Sequence, residues 1–287
     1  MTTHILVCPF NERILSHLQG RALVVKVDKP DEICRAAADV SRFKNHLHCV
    51  LFYAKDSLAD IAFQEDWKNI PLALYASEIG HFSKLANNLS LIRHFNLRVH
   101  LPIDREENYT SLRILSSLGI ASTVVFGEKN IDWEKLSDLM TYTILGRVHH
   151  APIEPFRYIS SHYNPTQQTG FDSVYFDDPS KYLHLNEEGF VSLSHKDLME
   201  GRFIADDINQ IGDLSQCPAY IEYHEAWKQF FLKPDGCAYC QGWRVCLGKF
   251  SPGTGDYSGC KQFFIEFMEV VEQYQSTTKN KVELWQL

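Results

Sequence analysis

A chain of 287 residues with 45% hydrophobic content is long enough for one large α/β domain plus a smaller module around a well-buried core. Its formal net charge of -8, with no basic run to offset it, argues against a nucleic-acid binder, because neutralising phosphates needs a positive surface. No apolar stretch approaches the roughly 20 residues that span a bilayer, and Met1-Thr2-Thr3-His4-Ile5 lacks the charged and apolar regions of a signal peptide. A cytoplasmic protein with no membrane partner is expected.

Taken in order, the first half repeats one pattern. Residues 4–8 read as a short buried strand, and Asn11 to Leu18 carries Ile14, Leu15 and Leu18 at helical spacing. The strand 22–27 and the helix 31–43 follow, then the strand 48–53 with a helix from about Ser57 to Trp67. Next come 71–75 with a helix over about 79–95, 97–101 with a helix over 108–118, and 122–126 with a helix over about 132–142. Six consecutive βα units predict a mostly parallel sheet, because each helix must cross the sheet to return the chain. Periodicity leaves two architectures open, a barrel-type sheet and a doubly wound open one.

After Gly146 the two prolines of 149–156 end the helical period, which sets a domain boundary near residue 147. The expected units are therefore 1–146 and 147–287. His149, His150 and Glu154 are candidate metal ligands, though adjacent loop histidines are more commonly solvated. Val174 to Pro179, then Tyr182 to Leu193, read as a strand, a tight polar turn and a returning strand, a hairpin in which Asp177 and Asp178 can serve either as acid–base groups or as turn residues before Pro179. Pro218 to Phe231 reads as an aromatic-rich helix with Tyr220, Tyr223, Trp227 and Phe231 roughly on one face. A last helix, 260–275, turns Phe263, Phe264, Phe267 and Val270 inward.

Four of the eight cysteines cluster late in the chain: Cys237, Cys240, Cys246 and Cys260, with Gly236 and Gly242 available for turns. A Cys-x-x-Cys pair can put both sulfurs on one ion or cluster, and two more thiolates complete a four-sulfur site. In a reducing compartment such a group is better explained by ligation than by disulfides. Structural zinc usually comes as two short-spaced pairs, whereas here only Cys237 and Cys240 form one; that leans towards iron–sulfur, with zinc as the alternative. Cys8, Cys34 and Cys49 lie in apolar-periodic segments and read as buried small hydrophobes.

The run Cys-x2-Cys-x5-Cys with a later cysteine resembles the auxiliary-cluster motif of the SPASM domain, the C-terminal module of many peptide- and protein-modifying radical S-adenosylmethionine enzymes. The resemblance implies that Cys237, Cys240, Cys246 and Cys260 hold one 4Fe-4S cluster. A second auxiliary cluster is not implied, because Phe250 stands where the family has a further cysteine and only Cys217 remains upstream. It also implies a partial barrel of six βα units before a small α+β SPASM- or twitch-like module containing the hairpin. Residues 101–120 look like the fifth strand and helix of the peptide-modifying members.

The family's reactive site is missing. Its Cys-x3-Cys-x2-Cys, counted from Cys8, calls for cysteines where Glu12 and Leu15 stand, and Val27-Asp28-Lys29-Pro30 replaces the glycine-rich turn after the second strand. No phosphate-binding loop or nucleophile arrangement takes their place. The expectation is a protein that neither binds nor cleaves S-adenosylmethionine. It would bind a peptide or protein substrate, or relay electrons, beside a separate maturation enzyme, with the partner docking near the hairpin at residues 174–193 and the cluster. The alternatives are a self-sufficient enzyme using Asp28, Asp56, Glu78 and Asp104 at the strand ends, where helix caps explain the same residues, and a zinc-stabilised binding protein. No catalytic residue is assigned.

Overall fold

The computed structural model describes residues 4–54, 56–127, 131–226, 228, 236–250 and 258–284. The chain is an α/β protein built on a nine-stranded, mostly parallel sheet. The strands are β1 (Ile5–Pro9), β2 (Ala22–Val27), β3 (His46–Tyr53), β4 (Leu72–Tyr75), β5 (Leu97–Pro102), β6 (Ala121–Val125), β7 (Ile153–Glu154), β8 (Tyr182–Leu185) and β9 (Val191–Ser192). Their spatial order is β7-β6-β5-β4-β3-β2-β1-β8-β9, so seven strands lie side by side in chain order. Every pairing is parallel except the β8–β9 pair. Residues on either side of 147 contribute to this one sheet: β7 extends it beyond β6, and β8 pairs with β1 through Leu6 and Leu183.

The crossovers are helical because their sequences carry caps and an apolar stripe. Asn11 caps α1 (Glu12–His17) by accepting the Arg13 N–H at 2.9 Å, and Asp132 caps α5 (Trp133–Leu145) by accepting the Lys135 N–H at 3.0 Å. The remaining crossover helices are α2 (Glu32–Arg42), α3 (Phe82–Ile92) and α4 (Glu106–Ser117). Leu15, Ile33, Leu85, Leu112 and Leu136 from these five helices form one core with Leu23, Leu74, Val99 and Leu101 of the strands.

The crossover after β3 is not the expected helix. Residues 57–67 make two single 3₁₀ turns, Leu58–Asp60 and Glu65–Asn69. The reason is competition for backbone donors: the N–H groups of Leu58 and Ala59 go to the carbonyls of Glu78 and Ile79, and Ser57 and Lys84 take the Asp60 carboxylate.

The hairpin also differs from its reading in sequence. Residues 172–175 form a 3₁₀ turn ended by Phe176 at φ 59°, so the first arm is not a strand. The hairpin is β8–β9, turned by Asn186, whose side-chain oxygen accepts the N–H groups of Glu188, Gly189 and Phe190. Tyr182 is buried, and the Tyr175 hydroxyl donates to the Val124 carbonyl at 2.6 Å. Both tyrosines are thus held by contacts within the fold, and Tyr175, partly exposed, lines a cavity on the sheet.

Beyond β7 come α6 (Phe156–His162), α7 (His195–Met199) and α8 (Pro218–Glu225). Tyr220 and Tyr223 lie on α8, while Trp227 and Phe231 lie outside the described residues. The long helix Ser258–Leu284 packs on α5 and α6, burying Phe263, Phe264, Phe267 and Val271; Val270 is half-buried.

Candidate functional site

The cysteine region is seated by close approaches that only glycine permits. A Cβ on Gly242 would lie 2.4 Å from the Phe264 Cβ and 3.5 Å from the Cys240 Sγ, and one on Gly259 would lie 2.3 Å from the Trp133 ring. Gly242 thus lets the segment bearing Cys240 and Cys246 meet the long helix, and Gly259 lets the turn bearing Cys260 meet α5. Phe250, in the position where the resembled family carries another cysteine, fills an aromatic hub instead. Its ring centroid lies 4.6 Å from Phe126, 5.6 Å from Phe264 and 5.9 Å from both Trp133 and Phe171.

Cys237 is buried in the 3₁₀ turn Gly236–Tyr239, Cys240 follows it, and Cys246 closes the short helix Trp243–Cys246. Leu247 and Gly248 then take left-handed backbone conformations, φ 50° and 74°. That turn brings the N–H groups of Phe250 and Gly248 onto the Cys246 sulfur. Burial nevertheless pushes the Cys246 thiol up to about 12, aided by the nearby sulfurs of Cys260 and Cys237. Cys260 is raised likewise, by burial first and then by Cys240 and Cys237. The sulfurs of Cys237, Cys240, Cys246 and Cys260 therefore lie near enough for Cys246 and Cys260 to be opposed by their neighbours. Their chemistry fits a cationic centre, which offsets that repulsion while the turn's N–H groups stabilise the thiolate. Among the described residues, no three cysteine, histidine or carboxylate side chains converge as a metal-ion site in this arrangement. The fit rests on donor chemistry, not on coordination geometry.

Other candidates are dispersed. Cys217 packs half-buried against the main core, Cys34 does the same, and Cys8 and Cys49 are buried hydrophobes. His150 stacks on Tyr142 at 4.7 Å, His149 is exposed, and Glu154 is buried in β7 accepting the Tyr158 N–H. Of the strand-end carboxylates, Glu78 pairs with Arg105 at 2.8 Å; neither it nor Asp28, Asp56 or Asp104 lines the cavity on the sheet.

That cavity, about 330 Å³, opens at the C-terminal ends of the strands, on the face away from α1–α5. Alternation along the strands points Lys26, Tyr53 and Tyr75 into it. Lys26 Nζ lies 3.1 Å from His195 Nδ1. Asp177 accepts the His195 backbone N–H at 2.7 Å and stands 3.2 Å from His184 Nε2, which also donates to the Phe176 carbonyl at 2.9 Å. Burial raises the Asp177 carboxyl, but the His184 and His195 hydrogen bonds and the Lys249 charge outweigh it and hold it below the usual carboxylate range. Burial lowers Lys26, and burial together with Lys26 and His184 holds His195 down at about 4. His184 is buried with Nδ1 unpartnered among the described residues. Asp178 is the turn residue, capping Ser180 and binding Ser173, whereas Asp177 belongs to the cavity.

Sequence reasoning did not single out Lys26, His184, His195 or Lys249. The available signal was a polar residue at an inward position of an apolar strand, as Lys26 is in β2 and His184 in β8. A second cavity, about 360 Å³, shares Asp177 and Lys249 with the first and reaches Cys246. Lys249 bridges the two, bonded to Asp172 at 2.9 Å with its ammonium over the Phe171 and Tyr175 rings. Compared with known proteins, the chain matches no protein-family model and no curated protein sequence.

Proposed function

We propose that this protein is a SPASM-like iron–sulfur component in the maturation of a peptide or protein, built on a partial six-unit barrel. It serves a separate maturation enzyme as a substrate-binding or electron-transfer partner and does not cleave S-adenosylmethionine. Cys237, Cys240, Cys246 and Cys260 are the ligands of one 4Fe-4S cluster, which when bound would supply one-electron transfer. The observation that carries this reading is the Cys246 turn: backbone N–H groups aim at a buried thiol that two neighbouring thiols oppose, and the same cysteine borders a cavity that shares Asp177 and Lys249 with the one at the sheet's open end.

Two further observations support the absence of S-adenosylmethionine chemistry. Where the resembled family needs open-site thiolates, Leu15 is in the core and Glu12 is on the surface beside Arg42. After β2, Val27-Asp28-Lys29-Pro30 stands where the resembled family has the glycine-rich turn that meets the cofactor's amino group, and this turn is closed by the Glu32 carboxylate, which accepts the N–H groups of Asp28 and Lys29. The test is anaerobic incubation with dithionite and S-adenosylmethionine, followed by pull-down against the proteins encoded beside it. The expected result is no 5'-deoxyadenosine above a heat-killed control and capture of a maturation enzyme or its peptide. Production of 5'-deoxyadenosine, or capture of no neighbour, would contradict the proposal.

A further inference from the structure

The cavity on the sheet holds one ammonium, that of Lys26, with no carboxylate in ion-pair contact among the described residues; Asp177 acts on it only through space. Lys249 pairs with Asp172, and Asp177 is occupied by His184 and the His195 N–H. Lys26 is half-buried, and its contact among the described residues is the His195 Nδ1, a neutral acceptor. A protonated Lys26 therefore keeps two N–H donors for a ligand, and His195, accepting at Nδ1, carries its own proton on Nε2. Beside these donors Tyr53 and Tyr75 stack at 4.7 Å, and Tyr75 stacks on the buried His100 at 4.2 Å, giving a row of flat rings along the ends of β3, β4 and β5. An ammonium aimed into a cavity against a ring wall is the pattern of a site that anchors one anionic end of a ligand and packs its body.

We infer that this cavity binds a carboxylate, with Lys26 as the counter-ion, His195 fixing the Lys26 ammonium through Nδ1, and the Tyr53 and Tyr75 rings against the rest of the ligand. A carboxylate matches the donors available: its oxygens accept the N–H groups that Lys26 keeps, whereas a phosphate dianion would bring a second negative charge beside Asp177. The group can come from a free small acid or from a glutamate side chain of a peptide. The site contains none of the four cysteines, and it shares Asp177 and Lys249 with the cavity that reaches Cys246.

Isothermal titration calorimetry on the full chain separates the two sources. The probes are succinate, free glutamate, and an acetylated, amidated pentapeptide carrying one glutamate, compared with its glutamine twin. The expected result is binding of at least one carboxylate probe below about 1 mM, weakened about tenfold or more in Lys26→Met and unchanged in the surface control Lys84→Met. Binding of succinate or glutamate alone identifies a small acid; preference for the glutamate peptide over its twin identifies a peptide side chain. If Lys26→Met does not fold, the wild-type comparison of the two peptides together with succinate decides. Failure of every carboxylate probe to bind, equal binding of the twin peptides without succinate or glutamate binding, or indifference to Lys26→Met would overturn the inference.

Discussion

On the helix-covered face of the sheet stand Leu23, Val25 and Val27 of β2, Leu72 and Leu74 of β4, and Val99 and Leu101 of β5. On the opposite face the same strands present Val24 and Lys26, Ala73 and Tyr75, Arg98 and His100. The first face is a continuous aliphatic layer sealed by five helices. The second holds a small apolar cluster around Val7, Val24, Leu51 and Tyr182, and beyond it the buried polar side chains His100, Thr123 and His184, which carry atoms without partners among the described residues, as Trp67, Asn108 and Ser122 do on the helix-covered side. Burying a polar group without a hydrogen bond costs stability, so the contrast sets an aliphatic face that stabilises the sheet against a more polar face that borders the cavity.

The contrast can be broken by substitution. Leu74→Ala removes a fully buried side chain from the aliphatic layer and should cost about 3 kcal/mol in a denaturant titration. A loss below about 1 kcal/mol would mean that this face is not the stabilising one. On the other face, pH is the lever. His100 is fully buried, and burial, then the Arg98 charge, hold it at about 3 against an ordinary 6.5. As pH falls below 6.5 the unfolded chain takes up a proton that the folded chain refuses, so stability drops towards pH 3, by up to about 1.4 kcal/mol per pH unit from this group. Stability that is flat between pH 6.5 and 4.5 would show that His100 titrates normally.

The smallest effect sharpens the comparison most. His100→Phe keeps the stack on Tyr75 and removes two ring nitrogens that lack partners among the described residues, so it should be neutral or stabilising by about 1 kcal/mol at pH 7.5. It should also flatten the acid slope. Destabilisation comparable to that of Leu74→Ala would show that the imidazole has a structural partner.

The same alternation explains what could be read from the residues alone. Five of the six expected βα units were legible because the helix-covered face sets an apolar pattern in each strand and five helices answer with an apolar stripe. The helix expected over 57–67 was not realised because the decisive partners, the carbonyls of Glu78 and Ile79, are distant in the chain. Asp177 and Asp178 are adjacent and chemically identical, and only the fold separates the cavity residue from the turn residue. The cysteine quartet was legible from spacing. Its link to the sheet through Lys249 and Asp177 was not, because β8, the 3₁₀ turn over 172–175 and the Cys246 turn meet only in three dimensions.

The central claim is that Cys237, Cys240, Cys246 and Cys260 hold an iron–sulfur cluster at the end of that link. It is tested most directly by iron, zinc and acid-labile sulfide analysis of anaerobically purified wild-type protein, with Cys240→Ala in parallel. The account predicts about four irons and four sulfides per wild-type chain and loss of both in the variant. Equimolar zinc without iron, or iron retained unchanged in Cys240→Ala, would contradict it.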